Sequence, residues 1–244
     1  MKTNPIDPHF TVTLISCSRH PQSMVYWAMH QCYSEDFVAN HPGKFTEDEA
    51  GQIVVKRLLK GDRGHYGPLE HPQITFNCGW FPHSVMQQIR THRLLTFDVQ
   101  SFRYTGARIS DVATGDLDVE SVFYARPVGI YTDRDGKKYE YTQEMRQDDL
   151  QFCIAAAHRY KRNLEKGMSE EHARSLIPFD VRQHWVMSCN LRSLMHLLDL
   201  RAKADAQLEC QQLCQLIWPH FETWVPEIAA WYKDNRWGKA RLAP

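Results

Sequence analysis

The chain's 244 residues can bury a substantial core, as one large domain or two small ones. Its 29 Lys and Arg balance 29 Asp and Glu, which argues against a field that coats nucleic acid, so any anion specificity must be local. Hydrophobic content of 43% beside charged content of 24% is ordinary for a folded soluble domain, and no apolar run approaches the length of a membrane span.

In chain order, strands and helices alternate without a linker or repeat. MKTNPIDPHF lacks the apolar core of a secretory signal, and the expectation is a cytoplasmic protein. FTVTLIS (10–16) alternates as a strand, and PQSMVYWAMHQCYS follows as a helix entered at Pro21. Thr46 and Glu49 form a capping box for a helix whose stripe of Val54, Val55, Leu58 and Leu59 ends near Gly61. RGHYGPLEHP reads as a loop, PQITFNCGW as a strand, PHSVMQQIRTHR as a short helix and VQSFRYT as a strand. Residues 121–141 form a β-excursion folded at Asp135-Gly136. Helices over about 142–166 and 169–175 precede FDVRQHWVMS. Leu191, Leu194, Met195 and Leu198 then make a core-facing stripe, and no proline or glycine interrupts the chain from Asn190 to Pro219, which predicts one long helix.

The seven cysteines are odd in number, scattered and without a C-x-x-C pair, a pattern that fits buried small apolar side chains. Cys210 and Cys214 stand one helical turn apart and could form half of a metal site, but no second ligand pair stands nearby.

RTHRLLTFDVQSFRYTG (90–106) is more informative, because Arg90, His92, Arg93 and Arg103 crowd into it and Arg108 stands just beyond. Near the end of a helix, Arg90, His92 and Arg93 could simply complement the helix dipole. In a strand through 101–104, Ser101 and Arg103 would share one face, an oxyanion clamp, while Phe102 and Tyr104 face the core. So many guanidinium groups exceed what structure requires, and arginine forks match phosphate oxygens two at a time. On the last long helix, Asn190 and Arg201 come within about 20° of each other and could border one pocket. Arg192 and His196 lie on another side, either solvated or against a neighbouring subunit.

These residues resemble a family, the flavin-dependent thymidylate synthases. The signature of those enzymes is R-H-R, seven residues, then serine; here His92-Arg93 and Ser101 match it, followed by F-R-Y. GHYGPLEH (64–71), Gln88, ARSLIP (173–178) and NLRSLMHLLDLRA (190–202) stand in the expected order, and the likeness covers about residues 10–230. It implies an α+β fold with a mixed, mainly antiparallel sheet flanked by helices, a long C-terminal helix and a single domain over 1–244. It also implies FAD- and NADPH-dependent reductive methylation of dUMP to dTMP, with 5,10-methylenetetrahydrofolate as one-carbon donor, in a homotetramer whose active sites form between subunits. By the same likeness, His65, Glu70, His92, Arg93, Asn190, Arg192 and His196 hold the flavin, and Gln88, Ser101, Arg103, Arg174 and Arg201 hold dUMP. Arg201, set against the uracil, and Ser101 take the catalytic places. Without the likeness, His65 and Glu70 read equally well as turn residues capping local backbone. The sequence departs from the pattern at Thr91, where the family's first arginine is expected and Arg90 stands one residue earlier. It departs again at Asp98 and Val99, in place of Asn-Glu, and at His196, in place of asparagine.

Two other classes compete. A metal-dependent nucleotide hydrolase needs histidines and carboxylates at ligand spacing, and no H-E-x-x-H appears. A non-enzymatic nucleic-acid-binding module needs a basic surface with stacking aromatics, which a neutral chain does not favour.

Overall fold

The structure, a computed structural model, describes residues 6–40, 44–60, 64–133 and 135–239. Six strands are β1 (Thr11–Cys17), β2 (Gln73–Pro82), β3 (Leu95–Val99), β4 (Gly129–Thr132), β5 (Lys138–Tyr141) and β6 (Arg182–Asn190). Four of them form a sheet in the order β1-β2-β6-β3, and β4 and β5 pair as an antiparallel hairpin with Ile130 opposite Glu140. The helices in chain order are α1 (Pro21–Gln31), α2 (Glu47–Val54), α3 (His83–Ile89), α4 (Ala107–Thr114), α5 (Val119–Val122), α6 (Gln143–Glu165), α7 (Glu170–Ala173), α8 (Leu191–Arg201), α9 (Leu208–Trp224) and α10 (Pro226–Asn235). The α+β class is as expected, and the 17 residues of α9 supply the long C-terminal helix.

The chain divides into two compact units, neither of them continuous in sequence. The first comprises Met1–Thr11, Gly79–Gln88 and Asp98–Trp185; the second comprises Val12–Cys78, Ile89–Phe97 and Val186–Pro244. In the first, Phe102, Ile109, Val122, Phe123, Ala157 and Tyr160 make the core. Beside Phe10 and Tyr124, the fully buried Arg182 is paired with Asp7 at 2.9 Å. The pair holds Asp7 below the usual carboxylate range, although burial pulls the other way. In the second unit, α8 buries Leu191, Leu194, Met195, Leu197 and Leu198 completely. Asp199, on the same helix, is also buried and takes hydrogen bonds from Tyr232 at 2.8 Å and Arg236 at 2.7 Å, as a buried charge requires.

The capping box on α2 is present: Glu49 N donates to Thr46 Oγ1 at 3.2 Å and Thr46 N to Glu49 Oε2 at 2.8 Å. Beyond α2, Val55–Leu59 form a π-helical turn, closed by Lys60 N on Val55 O at 2.9 Å; the expected end near Gly61 lies outside the described residues. Helix α6 and the α7 region match their predicted extents closely.

Two expectations need correction. The helix predicted from Asn190 to Pro219 is interrupted at 202–207, between α8 and α9. There Gln211 Nε2 donates to the carbonyls of Ala206 at 2.7 Å and Ala204 at 3.3 Å, satisfying backbone groups released by the break. Conversely, Pro219 does not stop α9, which runs on to bury Phe221 and Trp224; packing outweighs the lost backbone bond. The second correction concerns 101–104, which is a turn. The carbonyl of Ser101 accepts from Tyr104 N at 3.0 Å, Thr105 N at 3.2 Å and Thr105 Oγ1 at 3.0 Å. Phe102 is buried at 7% exposure while Tyr104 stands 83% exposed, so the two do not share a core face.

Candidate functional site

The predicted dUMP ligands other than Arg201 all fall in the first unit. Gln88 is half-buried in the last turn of α3. Ser101 opens the turn, and its Oγ accepts from Arg103 N at 3.3 Å. The turn is held from behind: Gln100 N donates to His184 O at 2.9 Å, and Arg108 Nη2 donates to Gln100 Oε1 at 2.9 Å. Arg108 lies over the Phe102 ring at 5.4 Å, and burial lowers its pKa to about 10. Sequence reading placed Arg108 among anion ligands; the structure makes it a brace for the turn. Arg103 is exposed and pairs with Glu171 of α7 at 2.9 Å, a surface ion pair that contributes little and yields readily to a better anion. Arg174 follows α7 in a 3-10 turn, half-buried.

The residues assigned to flavin, and Arg201, all fall in the second unit. Asn190 caps α8: its Oδ1 accepts from Ser193 N at 2.8 Å. Arg192, in the first turn of α8, donates to Glu70 at 2.6 Å. His196 meets the His92 ring edge-on at 5.3 Å. His92 follows the end of α3 in a tight turn, its N donating to Ile89 O at 3.1 Å, and the residue is only 5% exposed. Arg201, at the last position of α8, donates from Nε to His92 Nε2 at 3.1 Å and from Nη2 to Thr91 Oγ1 at 3.3 Å. Burial first, then the Arg201 and His196 charges, lower the His92 pKa to about 4, so its ring is neutral and can accept that bond. Arg93 is exposed in the same turn. The structure thus gathers His92, His196 and Arg201 into one cluster and Glu70 with Arg192 into another.

His65 is exposed and lines a cavity of about 670 Å³ with Tyr26, His30, Tyr33, Lys56 and Arg57. Tyr26 and His30 of α1 and Tyr33 just beyond it recur at i, i+4 and i+7, a spacing that could have singled them out in the sequence. The contribution of Thr91 was also missed, because a threonine in place of a family arginine reads as a loss.

The sequence matches the family described as "Thymidylate synthase complementing protein" over residues 13–227. It is 32% identical to the flavin-dependent thymidylate synthase of Halobacterium salinarum, over 96% of this chain and 99% of that protein. The enzyme of the same name from Haloarcula marismortui is also 32% identical, with the same coverage. Among solved structures, thymidylate synthase X from Helicobacter pylori with FAD and dUMP shares the fold at TM-score 0.68 and 18% identity, over 92% of this chain and 98% of that one. A UMP/dUMP methylase from Streptomyces cacaoi bound with 5-Br dUMP does so at TM-score 0.71 and 22% identity, over 96% and 97%. With a family match across most of its length and near-full-length relatives of that name, the chain belongs to the flavin-dependent thymidylate synthases, enzymes of dTMP biosynthesis.

Proposed function

We propose that this protein reductively methylates dUMP to dTMP with bound FAD, taking its reducing equivalents from NADPH and its one-carbon unit from 5,10-methylenetetrahydrofolate. It works in the cytoplasm as a homotetramer with active sites shared between subunits, and residues 1–244 act as one domain of this family.

The observation that carries the reading is Arg201, a permanent cation held in a fixed orientation by a neutral histidine and a hydroxyl. Placed against the uracil, it stabilises negative charge on the ring as C5 becomes nucleophilic. Ser101, Arg103, Arg174 and Gln88 hold the nucleotide phosphate, the braced turn fixing the first two.

The second unit suits a diphosphate-bearing flavin. His92 Nδ1 is buried without a hydrogen-bond partner and, with Nε2 accepting from Arg201, carries the ring proton, so it is a donor available to a ligand acceptor. Arg93 and Arg192 would offer positive charge, and the first turn of α8 behind Asn190 backbone N–H donors, to its phosphates. Together with His65, Glu70 and His196 they would bind and orient the cofactor. The flavin supplies hydride when bound. The residues of this chain hold it, orient dUMP and stabilise charge.

Among the described residues, no group of three or more His, Cys, Asp or Glu side chains is placed for a metal ion. An absorption spectrum of the purified protein, before and after NADPH, followed by dTMP measurement in a single turnover, tests the proposal. Two visible bands that bleach, then dTMP, are expected. A colourless protein that binds oligonucleotides in a salt-dependent way would overturn it. In the same assay, Arg201→Lys should still permit flavin bleaching yet form dTMP about a hundredfold more slowly at saturating dUMP.

A further inference from the structure

Thr91 stands where the family's first arginine is expected. An arginine has donors only, whereas a threonine hydroxyl can accept. This hydroxyl does accept, from Arg201 Nη2 at 3.3 Å, while the next residue, His92, accepts from Arg201 Nε at 3.1 Å. Nε and Nη2 form one edge of the planar guanidinium, and two consecutive residues of one turn grasp that edge. The backbone that presents them is itself fixed, since His92 N donates to Ile89 O at 3.1 Å and Leu95 N to His92 O at 3.4 Å. At the other end, Arg201 is anchored by its place at the end of α8, whose core side chains are completely buried.

We propose that Thr91 is a positioning residue for the methylation: with His92 it holds the inner edge of the Arg201 guanidinium, so that the outer edge is directed away from the turn, toward the uracil carbonyl. This rests on the proposed function and adds a role for a residue that replaces a family arginine. Two acceptors from consecutive residues restrain one edge of the guanidinium more closely than His92 does alone. A group aligned before the reaction need not reorganise as charge develops, so the gain appears in the transition state more than in nucleotide binding.

Thr91→Val keeps the branched shape and removes the acceptor; Thr91→Ser keeps the acceptor. At saturating dUMP, Thr91→Val should form dTMP at least about tenfold more slowly, while the KM for dUMP changes by less than about threefold. NADPH should bleach its flavin at the wild-type rate. Thr91→Ser should recover turnover to within about threefold of wild type. In an Arg201→Lys background, Thr91→Val should add little, because the residue acts through Arg201. Turnover of Thr91→Val equal to wild type, failure of serine to rescue, or full additivity with Arg201→Lys would overturn the proposal.

A readout independent of activity is the Arg201 Nε–H signal in ¹⁵N NMR of the protein without dUMP, assigned by its loss in Arg201→Lys. It should be sharp and slowly exchanging in wild type and in Thr91→Ser, and broadened in Thr91→Val; an unchanged signal in Thr91→Val counts against the clamp. Wild-type protein that makes no dTMP would reject the functional reading, and the NMR comparison would still decide whether Thr91 holds Arg201.

Discussion

His92 concentrates much of the chemistry of the second unit at a single residue. Its pKa is lowered from 6.5 to about 4, with burial the largest cause. As pH falls below 6.5 the unfolded chain takes up a proton that the folded ring refuses until about 4. The unfolded state binds more protons across that window, so stability declines as the solution is acidified, by up to about 3 kcal/mol from this group. Urea unfolding followed from neutral pH down to about pH 4.5 should show the decline, and His92→Gln should flatten it; an equal slope in both proteins would mean that His92 is not the group responsible. Arg103 makes the opposite case, an exposed side chain whose pairing with Glu171 is replaceable. Arg103→Ala should weaken dUMP binding by about tenfold or more and leave deoxyuridine binding nearly unchanged, because the lost bonds are to phosphate. Calorimetry with the two ligands checks this, and equal losses would reject the phosphate role.

At the scale of elements, the turn through 101–105 shows how packing decides what a short pattern leaves open. Alternation over Ser101, Phe102, Arg103 and Tyr104 suits a strand, but one buried ring, three donors on one carbonyl and the Arg108 brace select a tight turn leading into α4. The turn depends on Gly106. A Cβ there would lie 1.9 Å from the hydroxyl of Tyr160, which is 1% exposed. Gly106→Ala should therefore destabilise the protein by about 1 to 3 kcal/mol through overpacking. Tyr160→Phe removes the nearest atom, a buried hydroxyl without a hydrogen-bond partner, and should recover part of that loss. Thermal melts of both single variants and the double variant would show it; simple addition of the two effects would mean that the contact is not the cause. At the break between α8 and α9 a side chain again settles the path, since Gln211, in the first turn of α9, satisfies the carbonyls of Ala204 and Ala206 that a continuous helix would have used.

For the whole molecule, the relevant fact is how the cysteines are distributed. Cys78, Cys153, Cys189, Cys210 and Cys214 are buried, and burial pushes the Cys153 thiol up to about 11 and those of Cys189 and Cys210 to about 12. A thiol nucleophile needs a lowered pKa and an activating partner. A variant with all seven cysteines replaced by Ala or Ser, confirmed as folded by circular dichroism, should retain dTMP formation. Loss of methylation from one replacement, with flavin and dUMP still bound, would mean that a thiol takes part in activating the uracil ring.

The amino-acid order alone determined the α2 capping box, the entry of α1 at Pro21, the β4–β5 hairpin and the extent of α6, because caps, turns and apolar periodicity act over a few residues. It also carried the family, through motif blocks whose spacing survives divergence. Tertiary structure decided the rest. Whether 101–104 is strand or turn and that α9 continues through Pro219 depend on packing in the folded chain, and the break after α8 goes with side-chain contacts such as those of Gln211 with the carbonyls of Ala204 and Ala206. The pairing of Arg201 with Thr91 and His92 joins residues more than a hundred positions apart, and hydrogen bonds over that separation leave no trace in local pattern. Burial likewise sets the charge state of His92, and burial is a property of the packed core rather than of any sequence window.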